Sequence, residues 1–260
     1  MFKPEIFKDK VVLITGARSG IGYRLAELYL QYGATVYICA RKEELLLAAA
    51  EKLIKSNGPD VQLYAKTCDI REPAQANELA DYIKEKSGRL DILINNAGGQ
   101  FPALAENISW NGWNAVINNN LNGTWNMTST MAKHFFIPQV QGAIINIIAN
   151  IYRGFPGMVH TGAARAGVDN MTKTLAVEWS KYLIRVNAIA PGIIQSSGLE
   201  NYPPDLLKGI SDRIPMKKLG TVDDVAYMCL FLSTDMSNYI TGETIYIDGG
   251  QRLWGETFLL

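Results

Sequence analysis

Residues 11–22 read VVLITGARSGIG. A short run of β-branched and aliphatic residues ends in Thr15, a glycine-rich turn follows, and an apolar-periodic helix through LAELYLQYG comes straight after it. This is the joint between a first strand and a first helix. Glycines at such a joint, here Gly16, Gly20 and Gly22, let the backbone come close to a pyrophosphate. The helix N-terminus adds N–H donors and the positive end of its dipole. Three glycines alone are a weak signal; their place between the first strand and first helix of a series makes it specific.

The series continues down the chain. Strand-like runs at 35–40 (TVYICA), 61–68 (VQLYAKTC), 91–96 (DILINN), 142–148 (GAIINII), 185–190 (RVNAIA) and 244–248 (TIYID) alternate with helical patterns. The helical stretches include EELLLAAAEKLIK, AQANELADYIKEK, about 110–137, about 160–181 and 221–233. Strands apolar on both faces, separated by helical crossovers, belong in a parallel sheet covered on both sides. The expected fold is α/β: one Rossmann-type, doubly wound domain over 1–260, with a seven-stranded parallel sheet and helices on both faces. The segment 193–219 is long and irregular, as substrate lids often are. Its Lys208, Lys217 and Lys218 are candidates for substrate phosphates, with solvated lysines as the plain alternative.

Composition narrows the function. The 260 residues carry 25 Lys plus Arg against 25 Asp plus Glu, and the pI is 6.7, so no electrostatic footprint for nucleic acid is visible. No apolar run reaches the roughly 18 residues that span a bilayer, and the N-terminus lacks the apolar region and cleavage site of a signal peptide. Cys39, Cys68 and Cys229 are far apart, make no metal spacing and read as buried thiols in a reducing cytosol. No metal site is expected.

The second strand ends in CARK (39–42). An enzyme selective for NAD tends to place a carboxylate there, on the ribose 2′-hydroxyl; Arg41 would instead pair with a 2′-phosphate. Arg18, in the glycine loop, adds a second positive group. The expected cofactor is therefore NADP(H). Asp69 ends the third strand, where it could accept from the adenine amino group or cap the next helix.

Taken together, TGARSGIG (15–22), NNAGG (95–99), NNNLNG (118–123), APG (190–192) and TGETIYIDGG (241–250) resemble the short-chain dehydrogenase/reductase superfamily over nearly the whole chain. The resemblance implies a nicotinamide dinucleotide and a homotetramer. It also implies cofactor contacts at Thr15, Gly16, Arg18, Ser19, Gly20, Ile21 and Gly22, at Arg41, Asp69 and Ile70, and at Asn95, Asn96, Ala97 and Gly98. Asn120 and Arg165 would join them, with Pro191, Gly192 and Ile193 near the carboxamide.

Ketone-reducing members of that superfamily usually carry Ser, Tyr and Lys, with an Asn from the middle helix. Asn120 keeps the last; the other three positions hold Ile148, Thr161 and Arg165. A narrower resemblance accounts for the change. NNAGGQF (95–101), INII (145–148) and VHTGAARAGV (159–168) look like peroxisomal trans-2-enoyl-CoA reductases. VHTGAARAGVDNMTKTLAVEW (159–179) also looks like the related 2,4-dienoyl-CoA reductases, which tend to keep Lys where Arg165 stands. Both reduce carbon–carbon double bonds of acyl-CoA thioesters with NADPH.

The chemistry fits such a change. Ketone reduction makes a very basic alkoxide and needs an acid such as tyrosine, and a threonine hydroxyl is too weak to replace it. Reduction of an unsaturated thioester builds charge as an enolate, which needs donors aimed at the oxygen. The expected site therefore holds Thr161 as a bystander and Arg165 as a fixed cation. Asn120 is an amide donor or a structural kink residue. Tyr152, in the loop after the fifth strand, is an acid or a packing residue. His160 is a donor or a structural residue. Asp169, four after Arg165, orients the arginine through an i,i+4 pair or moves a proton.

The expected activity is NADPH-dependent reduction of a trans-2-enoyl-CoA or related thioester. The alternatives are a carbonyl or alcohol oxidoreductase of the same superfamily, with Tyr152 as a displaced acid, and a non-catalytic NADP(H)-binding protein. The C-terminal GETFLL is not an S-K-L type peroxisomal address, so a cytoplasmic, bacterial protein is expected.

Overall fold

The glycine-rich turn joins β1 (Val11–Thr15) to α1 (Gly20–Gln31), and the same strand-then-helix unit repeats across the chain. The structure, a computed structural model, describes residues 2–201 and 207–253. The next units are β2 (Thr35–Ala40) with α2 (Glu43–Asn57) and β3 (Leu63–Thr67) with α3 (Pro73–Ser87). After β4 (Ile92–Asn95) a long helical rod runs from 110 to 139, then β5 (Gly142–Ile147) and the helix Val159–Glu178. β6 (Ile184–Pro191) is followed by the short pair β7 (Ile194–Gln195) and β8 (Gly220–Thr221), the helix Val222–Ser233 and β9 (Thr244–Ile247).

Seven strands form one parallel sheet in the order β3-β2-β1-β4-β5-β6-β9. The doubly wound sheet expected from the sequence is therefore present. The order reverses between β1 and β4, and crevices at such a reversal are where ligands sit in open α/β sheets. Apolar residues cover both faces. Leu25, Leu46 and Val225 pack on one, and Leu79, Met127 and Leu175 on the other.

Three segments differ from the sequence reading. β3 starts at Leu63 rather than 61 and ends at Thr67. The rod at 110–139 contains two wider turns, Asn118–Asn122 and Ala132–Phe136, between the α-helical pieces Trp110–Ile117, Gly123–Met131 and Ile137–Gln139. At the first of these, the Asn120 side chain donates to the Val116 carbonyl at 2.9 Å. A side chain inserted into the i→i−4 ladder widens the helix locally. The supposed lid is partly ordered by the parallel β7–β8 pairing; its residues 202–206 lie outside those described.

Candidate active site

The cradle is held open by contacts that exclude side chains. Gly16 adopts a positive φ of 69°, and a Cβ there would come within 2.7 Å of Ala97 Cα. A Cβ on Gly22 would lie 2.7 Å from the Gly16 carbonyl. Thr15 and Asn96 latch the two loops together. The backbone N–H groups of Asn96 and Ala97 donate to Thr15 Oγ1 at 3.1 and 2.9 Å, and Asn96 Nδ2 donates to the Thr15 carbonyl at 2.9 Å. Ser19 makes no side-chain cap, and the first turn of α1 carries no carboxylate. The N–H donors at that helix end are thus left for a ligand oxygen. These features fit a dinucleotide diphosphate.

Arg18, Ile21, Asn96, Gly98, Arg165, Pro191, Gly192 and Ile193 all line one cleft of about 1090 Å³. Arg41 is exposed at the end of β2. Asp69 does not cap α3, whose N-cap is Glu72. Its carboxylate binds the Arg71 guanidinium and backbone N–H, and Arg71, with Arg41 behind it, holds that carboxyl below the usual carboxylate range. Two expected contacts point elsewhere. Ile70 is in the core, where its side chain fills the space beside Gly123. Asn95 donates to Thr128 Oγ1 at 2.8 Å and to Asn146 Oδ1 at 2.9 Å, and Asn146 donates on to Thr172 Oγ1. That buried chain ties β4 and β5 to two flanking helices. Buried polar groups need such partners, and Asn95 spends its donors there rather than on a cofactor.

Arg165 lies on the cleft floor, 7% exposed. It donates from Nη1 to the Ile147 carbonyl at 3.1 Å, and its Nε has no partner. Among the described residues no carboxylate pairs with it. Burial alone pushes its guanidinium down to about 10, which leaves it a cation at neutral pH. The expected pair with Asp169 is not formed. Asp169 instead binds Lys173 Nζ and Thr244 Oγ1, each at 2.5 Å, because Lys173 is one turn further on and β9 runs alongside.

Three other candidates are close in sequence but turned from the cleft. Thr161 is fully buried, and its hydroxyl has no partner. His160 is also fully buried, accepts the Thr161 N–H at Nδ1 (2.9 Å) and packs edge-on against Phe101. Neither lines the cleft. Tyr152 is 62% exposed. Its ring meets Tyr246 edge-on at 6.1 Å, with the Arg252 guanidinium 5.8 Å above it, and it too is absent from the lining.

Asn120 has no donor to spare. Its two amide hydrogens go to the Gly99 and Val116 carbonyls (2.7 and 2.9 Å), and its Oδ1 accepts the Gly99 N–H at 3.2 Å. The residue is a staple between the helical rod and the Gly98–Gly99 loop, so the expectation of a free oxyanion donor is corrected to a structural role. The lid lysines are not in the lining either, and Lys217 donates to the Asp212 carbonyl at 2.8 Å.

The sequence reading missed Arg153, Arg213 and Arg252, which line the same cleft. Arg153 sits on the loop after β5, Arg213 in a short 3-10 turn (Ile210–Arg213) between β7 and β8, and Arg252 in a 3-10 turn (Gln251–Leu253) after β9, and they form no local motif. With Arg18 and Arg165 they make five arginines. Among the described residues the lining contains no Asp, Glu, His, Cys, Lys or Tyr. The Ser position is filled by the apolar Ile148, which lines the wall.

Comparison with known proteins gives consistent relatives. A family profile described as enoyl-(acyl carrier protein) reductase matches residues 16–252. A peroxisomal 2,4-dienoyl-CoA reductase of Mus musculus is 36% identical over 96% of this chain and 86% of its own length. A 3-oxoacyl-[acyl-carrier-protein] reductase of Thermotoga maritima is 40% identical over 94% of this chain and 98% of its own. The solved structure of a short chain dehydrogenase from Bacillus anthracis superposes with a TM-score of 0.87 at 41% identity, covering 95% of this chain and 98% of that one.

Proposed function

This chain belongs to the short-chain dehydrogenase/reductase family, and from that premise we propose that it reduces the carbon–carbon double bond of a trans-2-enoyl-CoA or related unsaturated thioester with NADPH. One observation carries this reading: among the described residues the cleft lining offers five arginines and no Asp, Glu, His, Cys, Lys or Tyr to act as a general acid. Reducing a ketone leaves an alkoxide that needs a proton donor of suitable pKa in the transition state. Reducing a conjugated thioester leaves an enolate, which is far less basic and is stabilised by fixed positive charge.

When bound, the nicotinamide cofactor supplies the hydride, which a conjugated thioester accepts at Cβ. The chain's own residues do the rest. Gly16, Gly22 and the N-terminus of α1 take the diphosphate, and Arg41 meets the 2′-phosphate. Pro191, Gly192 and Ile193 form the wall where the nicotinamide end would lie. Arg165 presents an uncompensated charge toward the developing enolate. Ile148, Phe155, Met158, Ile194 and Leu207 give an apolar surface for the acyl chain. Water completes protonation at Cα, since the described residues of the cleft lining include no side chain suited to it.

The likeness to the Thermotoga 3-oxoacyl-[acyl-carrier-protein] reductase supports one rival, carbonyl reduction. A panel of crotonyl-, hexenoyl- and decenoyl-CoA against acetoacetyl-CoA and simple ketones, read by NADPH absorbance, separates the two. Turnover of ketones without enoyl turnover would reverse the conclusion.

The assembly that fits best is a homotetramer. The helical rod and the helix Val159–Glu178 expose Trp110, Trp125 and Val177, and large exposed apolar side chains favour burial between copies. No helix of the described residues is long and apolar enough to cross a membrane. The three buried free cysteines suit a reducing, cytoplasmic setting.

A further inference from the structure

Among the described residues, four side-chain amides line the cleft: Asn96, Gln100, Asn150 and Gln251. Asn96 Nδ2 donates to the Thr15 and Gly16 carbonyls at 2.9 and 3.2 Å. Asn150 Nδ2 donates to Asp248 Oδ2 at 3.1 Å, and its Oδ1 accepts the Tyr152 N–H at 3.4 Å. Gln100 has an interaction of its own. Gln251 differs. Its side chain makes no hydrogen bond among the described residues, so a carbonyl oxygen and two N–H donors stay uncommitted in the cleft. The arginines of the lining donate but cannot accept, and Gln251 brings the acceptor they lack.

The backbone that carries it is fixed. Three successive N–H groups converge on Asp248: Gly250 on Oδ1 at 3.0 Å, Gln251 on the carbonyl at 3.1 Å and Arg252 on Oδ2 at 2.8 Å. Gly249 and Gly250 lead into this turn with φ of 61° and 85°, a conformation that suits glycine. Asn150 ties the same carboxylate to the loop after β5. The half-buried Gln251 then lies against the segment that follows β6. A Cβ on Gly192 would come within 2.8 Å of Asp248 Cα and 3.3 Å of Gln251 Oε1. The bare Cα of Gly192 is what lets the turn and its amide lie so close.

We propose that Gln251 is a positioning residue that holds the water which protonates Cα. The inference rests on the double-bond reading above. In that reading the thioester oxygen rests on Arg165, whose Nη1 is anchored on the Ile147 carbonyl at the end of β5, and hydride enters Cβ from the wall at Gly192. Cα lies between the two, on the side of Gln251. Hydride addition leaves the electron pair of the double bond shared between Cα and the oxygen. A water on the amide accepts from Nε2 and donates one hydrogen to Oε1, which leaves its other hydrogen for Cα. The Cα–H bond forms as that O–H bond breaks, the enolate returns to a thioester, and the hydroxide left on Nε2 takes a proton from solvent. Arginines alone would hold a water by its oxygen and fix neither hydrogen. Gln251 therefore directs the proton to one face of Cα.

The test reduces crotonyl-CoA with NADPH deuterated at the transferred position, in D2O, and reads the butyryl-CoA by NMR. Deuterium at Cβ reports the reduction, deuterium at Cα reports the water, and their relative configuration reports the face. The native protein is expected to give one diastereomer. Gln251→Met keeps the length and loses the hydrogen bonds. It should give both diastereomers and lower kcat about tenfold to a hundredfold, as misplacing a reacting group does. KM should stay nearly unchanged, as should NADP⁺ affinity by calorimetry. Gln251→Glu keeps an acceptor and should recover part of the selectivity. Two diastereomers from the native protein would overturn the proposal, as would a single one from Gln251→Met. A Met variant that loses cofactor affinity and keeps one diastereomer would make Gln251 a cofactor contact, which also overturns it. These outcomes leave the reductase reading standing. No deuterium at Cβ in the native product would sink that reading, and the proposal with it.

Discussion

The guanidinium of Arg165 lies against Gly98 so closely that a Cβ on the glycine would collide with Nη2 and come within 2.7 Å of Asn120 Oδ1. The two residues are far apart in sequence, and the small one sets where the charged one can stand. Gly98→Ala should therefore push Arg165 off the cleft floor. We expect at least a tenfold loss in kcat/KM for an enoyl-CoA, with the far-ultraviolet circular dichroism unchanged. A Gly98→Ala protein as active as the native one would mean that the position of Arg165 is unimportant.

Arg165 also predicts an opposition between stability and activity. A buried charge with no counter-charge is costly. Its pKa is about 10 in the folded protein and ordinary when unfolded. Between those values the unfolded chain holds more protons, so this group makes folding more favourable as pH rises through that window. At pH 8 the penalty is still present, and Arg165→Met should raise the melting temperature while it lowers activity more than tenfold. Cofactor affinity should fall as pH rises through about 10 in the native protein, because the cation is lost; fluorescence titration of the tryptophans measures this. A Met variant that melts lower would show that the charge is compensated.

Thr161→Val should be close to silent in catalysis, within about tenfold in kcat. The hydroxyl is buried, outside the cleft and unpartnered, and removing an unsatisfied buried group of similar shape is neutral or stabilising. A large kcat loss at unchanged stability would return Thr161 to the list of acting groups.

Asn120→Ala should cost stability first. It removes the part-buried hydrogen bonds to Gly99 and the buried one to Val116, each worth about 0.5–1.5 kcal/mol, readable as a lower urea midpoint. Activity should fall with it, since the Gly98–Gly99 loop loosens over Arg165. A kcat drop of a hundredfold with an unmoved midpoint would instead place the amide on the substrate.

Arg41→Ala should erode the preference for NADPH over NADH. The residue is exposed and near Asp69, and a bidentate guanidinium–phosphate contact is among the stronger charge-assisted ones. Equal native affinities for the two cofactors, or a preference that survives the variant, would rule the assignment out.

The sequence by itself determined the frame. Continuous apolar runs alternating with helical patterns specify strands covered on both faces, and these put the parallel sheet in place. The glycine turn after β1 was equally legible, because close backbone approach leaves a residue-type signature. So were Thr161 and Arg165 at the positions where the family resemblance expects Tyr and Lys, a departure that motivates the proposed double-bond reduction. The tertiary structure alone decided which side chains face that cleft. Asn120 reads as a donor until its partners at Gly99 and Val116 are seen. Asp169 has the spacing for Arg165 yet binds Lys173 and Thr244, since a strand remote in sequence lies beside it. Tyr152 sits in the right loop and turns outward onto Tyr246. Arg153, Arg213 and Arg252 carry no local pattern at all. They line one cleft only because parallel strands bring the segments that follow β5, β7 and β9 to one end of the sheet, and convergence of that kind is a property of the topology, not of any stretch of chain.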